Sequence, residues 1–124
     1  MIRVLLADDH AVVAEGLAAL LRESFELVGD VRNGRELLTS ATQLRPDVIV
    51  TDITMPFMNG LDAIRQIMKE HPDMKVVVLT MHNDPRLAVL AIRAGVRGYV
   101  IKTAPAEELI AAVDARALWA RYGL

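Results

Sequence analysis

Five short, nearly all-apolar runs alternate with five amphipathic stretches, and that alternation limits the fold more than any other feature of the chain. Ile2-Arg3-Val4-Leu5-Leu6-Ala7, Asp47-Val48-Ile49-Val50-Thr51, Lys75-Val76-Val77-Val78-Leu79-Thr80 and Gly98-Tyr99-Val100-Ile101 are short and rich in β-branched residues, and Phe25-Glu26-Leu27-Val28-Gly29 is a weaker fifth. Strands apolar on both faces belong in a parallel sheet covered on both sides. Between them, apolar residues recur at helical spacing: Val12, Val13, Gly16, Leu17, Leu20 and Leu21; Leu37, Leu38, Ala41 and Leu44; Leu61, Ile64, Ile67 and Met68; Leu87, Leu90, Ala91 and Ala94; Leu109, Ile110, Val113 and Ala117. Each set predicts a helix with one buried stripe.

Boundary residues sharpen these elements. Asn33 with Glu36 three places on predicts a variant capping box. Asp84-Pro85 predicts a side-chain cap followed by proline at the first helical position. Gly95 suits a left-handed C-cap, and Arg45-Pro46 and His71-Pro72 end their helices. Five β-α units cross over right-handedly into one parallel sheet with helices on both faces. Five strands favour the doubly wound order 2-1-3-4-5 over the longer dinucleotide-binding order.

At 124 residues the chain is one domain. The expected division is a folded unit over 1–118, with 119–124 as the end of the last helix or the start of a linker. No apolar run approaches the ~20 residues of a membrane span, and the first residues do not read as a secretory signal, so the expected location is cytoplasmic with no membrane partner. The absence of cysteine excludes disulfides and thiolate metal sites. Fourteen basic and sixteen acidic residues, scattered without blocks of like sign, leave no basic surface for direct DNA contact.

A doubly wound sheet places its working crevice at the carboxyl ends of its strands, near the reversal of strand order. The first strand ends in Asp8-Asp9, the third in Asp52, the fourth in Thr80 and the fifth in Lys102. Taken singly, each has an ordinary explanation: a strand-end aspartate caps a turn, a lysine is a solvated charge. His10, His71 and His82 carry little weight as ligands, with His10 expected to face solvent beside the first helix. Together the rim residues form a working set. Clustered carboxylates repel one another, and a hard divalent cation removes that cost. A carboxylate can attack phosphorus to form an aspartyl phosphate, while a lysine and a hydroxyl hold the phosphoryl oxygens.

Asp8-Asp9-His10, Thr51-Asp52-Ile53-Thr54-Met55-Pro56 with Asn59-Gly60, Leu79-Thr80-Met81-His82 and Gly98-Tyr99-Val100-Ile101-Lys102 together resemble the response-regulator receiver (CheY-like) family over essentially the whole chain. The details look closest to the subfamily that carries a LuxR/NarL/FixJ-type helix-turn-helix output domain. The resemblance implies a flavodoxin-like α/β fold, (βα)5, in which Asp52 is the phosphoacceptor. It also implies Mg²⁺ (or Mn²⁺) held by the carboxylates of Asp9 and Asp52, by Asp8 directly or through water, and by the backbone carbonyl of Thr54. Thr80 and Lys102 would bind the phosphoryl group, and Tyr99 would be the switch aromatic that turns with Thr80. The implied partners are a sensor histidine kinase, a second copy through the fifth helix or the fourth-helix face, and DNA only through an output domain beyond this chain. Thr103 after Lys102 and Met81 after Thr80 depart from the commonest pattern of the family, and Thr54 and His82 stand where the lifetime of the phosphorylated state is tuned.

Three other readings compete. A haloacid-dehalogenase-like phosphatase needs Asp-x-Asp after its first strand, where this chain has adjacent Asp8-Asp9. A nucleotide or flavin module needs a glycine- or hydroxyl-rich loop there, and Asp8-Asp9 would repel its phosphate. A degenerate receiver acting only as an interaction module would lack one of the key residues, and none is missing.

Overall fold

The computed structural model describes residues 1–55, 58–81 and 84–114. Ten elements alternate in the order β1 (Arg3–Ala7), α1 (Ala11–Ser24), β2 (Glu26–Val31), α2 (Gly34–Leu44), β3 (Val48–Asp52), α3 (Gly60–Glu70), β4 (Lys75–Thr80), α4 (Pro85–Ala94), β5 (Gly98–Ile101) and α5 (Ala106–Val113). All strand pairs are parallel, and the sheet order is β2-β1-β3-β4-β5, as the alternation predicts. The expected Ala117 of the last helical stripe, and the expected linker over 119–124, lie outside the described residues.

Period-two alternation divides the core between the two faces of the sheet. Leu5, Ala7, Ile49, Val76 and Val78 pack with Leu37 and Ala41 of α2, Ile64 and Ile67 of α3, and Ala91 of α4. Their neighbours Val4, Leu6, Val48, Val50, Val77 and Leu79 pack with Ala18 and Leu21 of α1 and Leu109 and Val113 of α5. The strands therefore read as continuous apolar runs because each feeds two separate cores.

The structure moves several of the expected boundaries. β2 begins at Glu26 and runs on to Val31, because Gly29, Asp30 and Val31 pair with Leu5, Leu6 and Ala7 after a register irregularity at Val4/Leu5. Gly29 and Asp30 have poor strand propensity, so pairing with a central neighbour decides their conformation. Phe25 is not in the strand. It is buried, and its amide closes α1 on the Leu21 carbonyl. The buried face of α1 is Ala14, Ala18 and Leu21, while Val12 is 84% exposed and Val13 36%. The expected stripe on Val12 and Val13 is therefore rotated, because small alanines let the helix lie close to the sheet. On α4 only Ala91 is fully buried, and Leu90, expected in the stripe, is 38% exposed.

The caps follow their chemistry closely. Asn33 accepts from the Glu36 amide, but the Glu36 carboxylate receives the Arg32 amide, one residue before the position a reciprocal box requires. Asp84 accepts from the Arg86 amide ahead of Pro85, and Gly95 takes φ 104° at the end of α4. Arg45 ends α2 in the left-handed region with φ 45°, and His71 ends α3.

Candidate functional site

Parallel strands put all five carboxyl ends on one edge, and the chain reverses direction across the sheet between β1 and β3. Asp8 follows β1, Asp52 closes β3, Thr80 closes β4 and Lys102 follows β5. Residues 50 and 94 positions apart in sequence are thus brought into ion-pair contact. The Lys102 ammonium lies 2.7 Å from Asp8 Oδ2 and donates to Asp52 Oδ2 at 2.9 Å. Its side chain is 3% exposed, so it is no solvated surface charge. Asp8, Asp52 and Thr80 are the other buried polar groups at this edge.

The backbone holds the carboxylates in place. The Thr54 amide donates to Asp52 Oδ1 at 3.2 Å, and the His10 amide to Asp8 Oδ1 at 2.9 Å. The Lys102 amide donates to the Thr80 carbonyl at 2.7 Å, locking the turn after β5 onto β4. Behind Asp52 the Gly60 amide at the start of α3 donates to the Ile53 carbonyl. Asn59 caps α3 through the Asp62 amide.

The carboxylates of Asp8 and Asp52 face one ammonium, and that of Asp9 lies beside them. One ligand atom from each of them, and one from His10, lies within 4.8 Å of all the others. The buried Asp9 Oδ1 finds no hydrogen-bond donor among the described residues. A dense carboxylate set with an unsatisfied buried oxygen suits a hard divalent cation, so these residues fit the metal that the motif implies. His10 is the residue whose weight the structure changes. Its ring is 61% exposed, as expected beside α1, yet Nδ1 stands 3.4 Å from Asp8 Oδ1 and 3.2 Å from Asp9 Oδ1. Its adjacency to Asp8-Asp9 was the available signal in the sequence. His82 lies outside the described residues, and His71 sits at the opposite end of the sheet beside Thr42.

Burial opposes the charge of Lys102, but its bonds to Asp8 and Asp52 outweigh that and raise its pKa above the ordinary lysine value of 10.5. A raised cationic pKa stabilises the fold fully below the unfolded value and loses that contribution as pH climbs through the folded one. Stability should therefore hold through neutral pH and fall in strongly alkaline solution. In Lys102→Met the part of that alkaline loss due to this group should vanish. An alkaline denaturation profile identical in the two proteins would contradict the assignment.

Tyr99 turns toward the α2–α3–α4 core, and its buried hydroxyl has no hydrogen-bond partner among the described residues.

This geometry coincides with a family match. Residues 4–114 match the response regulator receiver domain model. The chain belongs to the response regulator receiver family. This receiver is 42% identical over 117 residues to the transcriptional regulatory protein LiaR of Bacillus subtilis (strain 168), an alignment covering 93% of the chain and 56% of LiaR. It is 37% identical over 115 residues to the response regulator GacA of Pseudomonas viridiflava, covering 91% and 54%. A two-component response regulator of the LuxR family from Aurantimonas sp. SI85-9A1 superposes with a TM-score of 0.89 at 30% identity, covering 95% of this chain and 86% of that one. The receiver spans about half the length of the curated relatives it matches. It is the receiver domain of a two-component response regulator, a regulatory unit related to transcriptional regulators of the NarL/LuxR type. Among the described residues no helix is long and apolar enough to cross a membrane.

Proposed function

We propose that Asp52 accepts a phosphoryl group from a phosphohistidine of a sensor histidine kinase, and that the resulting charge switches an output surface. The observation that carries this is the convergence of Asp8, Asp9, Asp52 and Lys102 at one rim, with Asp52 oriented from both sides by the Thr54 amide and the Lys102 ammonium. The Asp52 carboxylate attacks phosphorus, and the phosphorus–nitrogen bond to the donor breaks. Lys102 already bridges Asp8 and Asp52, so it stands where a phosphoryl oxygen would need a point charge. The Thr80 hydroxyl donates to another of those oxygens. Mg²⁺ (or Mn²⁺), held by the carboxylates of Asp8, Asp9 and Asp52 and the Thr54 carbonyl, would neutralise charge on the transferring oxygens.

Phosphorylation adds charge and acceptor oxygens. Drawing Thr80 toward them frees space beside Tyr99, whose hydroxyl has no hydrogen-bond partner among the described residues. The switch is then a population shift, and a full one requires roughly 5.5 kcal/mol of preference for one state. Charge-assisted bonds of about 1.5–3 kcal/mol each are the right size.

In this reading the unit over 1–118 is a cytoplasmic receiver and 119–124 leads toward a helix-turn-helix output domain, which alone contacts DNA. The greater length of the relatives favours that organisation. Two copies would pair through α5 or the α4 face, and the exposed Val89 and Ile92 favour the α4 face. The unit promotes only its own phosphorylation and dephosphorylation, with no turnover of simple phosphate esters.

The test is intact-mass analysis after acetyl phosphate and Mg²⁺, with the adduct mapped by peptide fragmentation. One phosphoryl group on the peptide containing Asp52, absent with EDTA, is the expected result. No adduct, or one mapped elsewhere, overturns the reading. Asp9→Ala should weaken Mg²⁺ binding by at least about 10–100-fold, the loss typical of removing even an outer partner of a metal ligand. Calorimetry giving an unaltered Mg²⁺ affinity would exclude Asp9 as a ligand.

A further inference from the structure

We propose that the turn from β2 into α2 is a positioning element of the phosphoryl-transfer edge, with Arg32 holding the backbone at Asp8 and Gly34 holding the segment between Asp52 and α3. The inference rests on the reading of Asp52 as phosphoacceptor and gives roles to two residues outside the acidic pocket.

Asp8 lies one residue past β1, and Arg32 Nη1 reaches its carbonyl at 3.4 Å. The same guanidinium grips Asp30 through both terminal nitrogens, Nη1 to Oδ1 and Nη2 to Oδ2. Nη1 also reaches the Val31 carbonyl at 3.3 Å. Asp30 is a fixed anchor, because it pairs with Leu6 in the β1–β2 ladder. A planar fork can grip a carboxylate and still offer a donor to a third group, which a lysine ammonium on its flexible stem does not do. The turn is pinned as well. The Arg32 amide donates to the Glu36 carboxylate at 3.0 Å, and the Asn33 side chain accepts from the Glu36 amide at 2.9 Å.

Two residues on, Gly34 opens α2 against the other reactive segment. A Cβ there would lie 2.7 Å from the Met58 carbonyl carbon and 3.0 Å from Met58 Cβ, with the Met58 carbonyl oxygen nearer still. The Met58 side chain packs against the core under α2 and α3, which limits its retreat. Met58 stands two residues before Gly60, whose amide donates to the Ile53 carbonyl beside Asp52. A push at Gly34 is therefore passed to the backbone next to Asp52. One short turn touches the chain on both sides of the edge, at Asp8 through a guanidinium and near Asp52 through the lack of a side chain. Misplacing reacting groups by about 1 Å can cost roughly 10²-fold in rate, so such a turn governs turnover without touching the donor.

Phosphoryl uptake from acetyl phosphate at saturating Mg²⁺, followed by intact mass over a range of donor concentrations, tests this. Arg32→Lys and Gly34→Ala should each lower the maximum rate per folded molecule at least about tenfold, with the half-saturating donor concentration unchanged. Gly29→Ala is the control. A Cβ there would meet only side-chain ends, Leu5 Cδ1 at 2.8 Å and Leu44 Cδ1 at 3.1 Å. Relief at that position moves no reactive backbone, so the rate should hold. Arg32→Lys and Asp30→Asn should be non-additive, because Asp30 acts through the guanidinium. A rate in Arg32→Lys or Gly34→Ala no lower than in Gly29→Ala overturns the inference while Asp52 still takes the adduct. Should Gly34→Ala not fold, Arg32→Lys decides alone. An adduct that maps elsewhere in the unaltered chain overturns this inference and the reading of Asp52 together.

Discussion

Asp52→Asn should gain no phosphoryl mass from acetyl phosphate and Mg²⁺, with adduct formation falling at least about 10³-fold, as when a nucleophile is removed. The substitution keeps the shape of the side chain and its acceptor for the Thr54 amide, so the loop geometry should survive. What it removes is the anionic oxygen proposed to attack phosphorus. It also removes one of three crowded carboxylates while Asp8 remains to pair with Lys102. Like charges at this range oppose folding, so thermal stability should hold or rise. Lost uptake with retained stability isolates chemistry from folding. An adduct forming at the original rate would place the nucleophile elsewhere, and fragmentation would show where.

Gly60→Ala should cost about 3 kcal/mol, the upper part of the range for overpacking a close-fitted site, and should slow phosphoryl uptake as well. Helix propensity alone points the other way, since alanine is better than glycine inside a helix by about 1 kcal/mol. The tertiary contact reverses the sign. A Cβ at Gly60 would lie 2.0 Å from the Asp52 carbonyl oxygen, 2.8 Å from the Ile53 carbonyl oxygen and 2.9 Å from Ile53 Cα. All three are backbone atoms of the segment that aims Asp52, so relief must move the site. Gly16→Ala supplies the contrast. Nothing lies within 4 Å of a Cβ there, in the exposed part of α1, and it should stabilise by roughly 0.5–1 kcal/mol. Denaturant unfolding measures both, and a Gly60→Ala protein as stable as the parent would show that the β3–α3 loop is looser than its packing.

Much of the working edge is legible before folding is considered. Asp8-Asp9, Asp52, Thr80 and Lys102 each stand just where a strand pattern stops, and parallel strands necessarily share one carboxyl edge. The caps at Asn33, Asp84 and Gly95 are legible for a similar reason, since each depends on atoms within a few residues of itself. The readings that shift depend on distant partners. The inward face of α1 is set by how near the helix lies to the sheet, so Ala14 and Ala18 are buried in place of Val12 and Val13. The run of β2 to Val31 is set by what β1 offers across the ladder. His10 joins the acidic pocket because of where the turn after β1 points its ring.

The one-dimensional pattern of this receiver therefore determined its element order, its sheet class and the residue types at its reactive edge, because periodicity and capping act over a few residues. Only the tertiary structure decided which helix faces turn inward, that Lys102 bridges Asp8 and Asp52, and that Gly60 must lack a side chain. Those depend on distances between segments far apart in the chain, set when two cores close on the sheet at once.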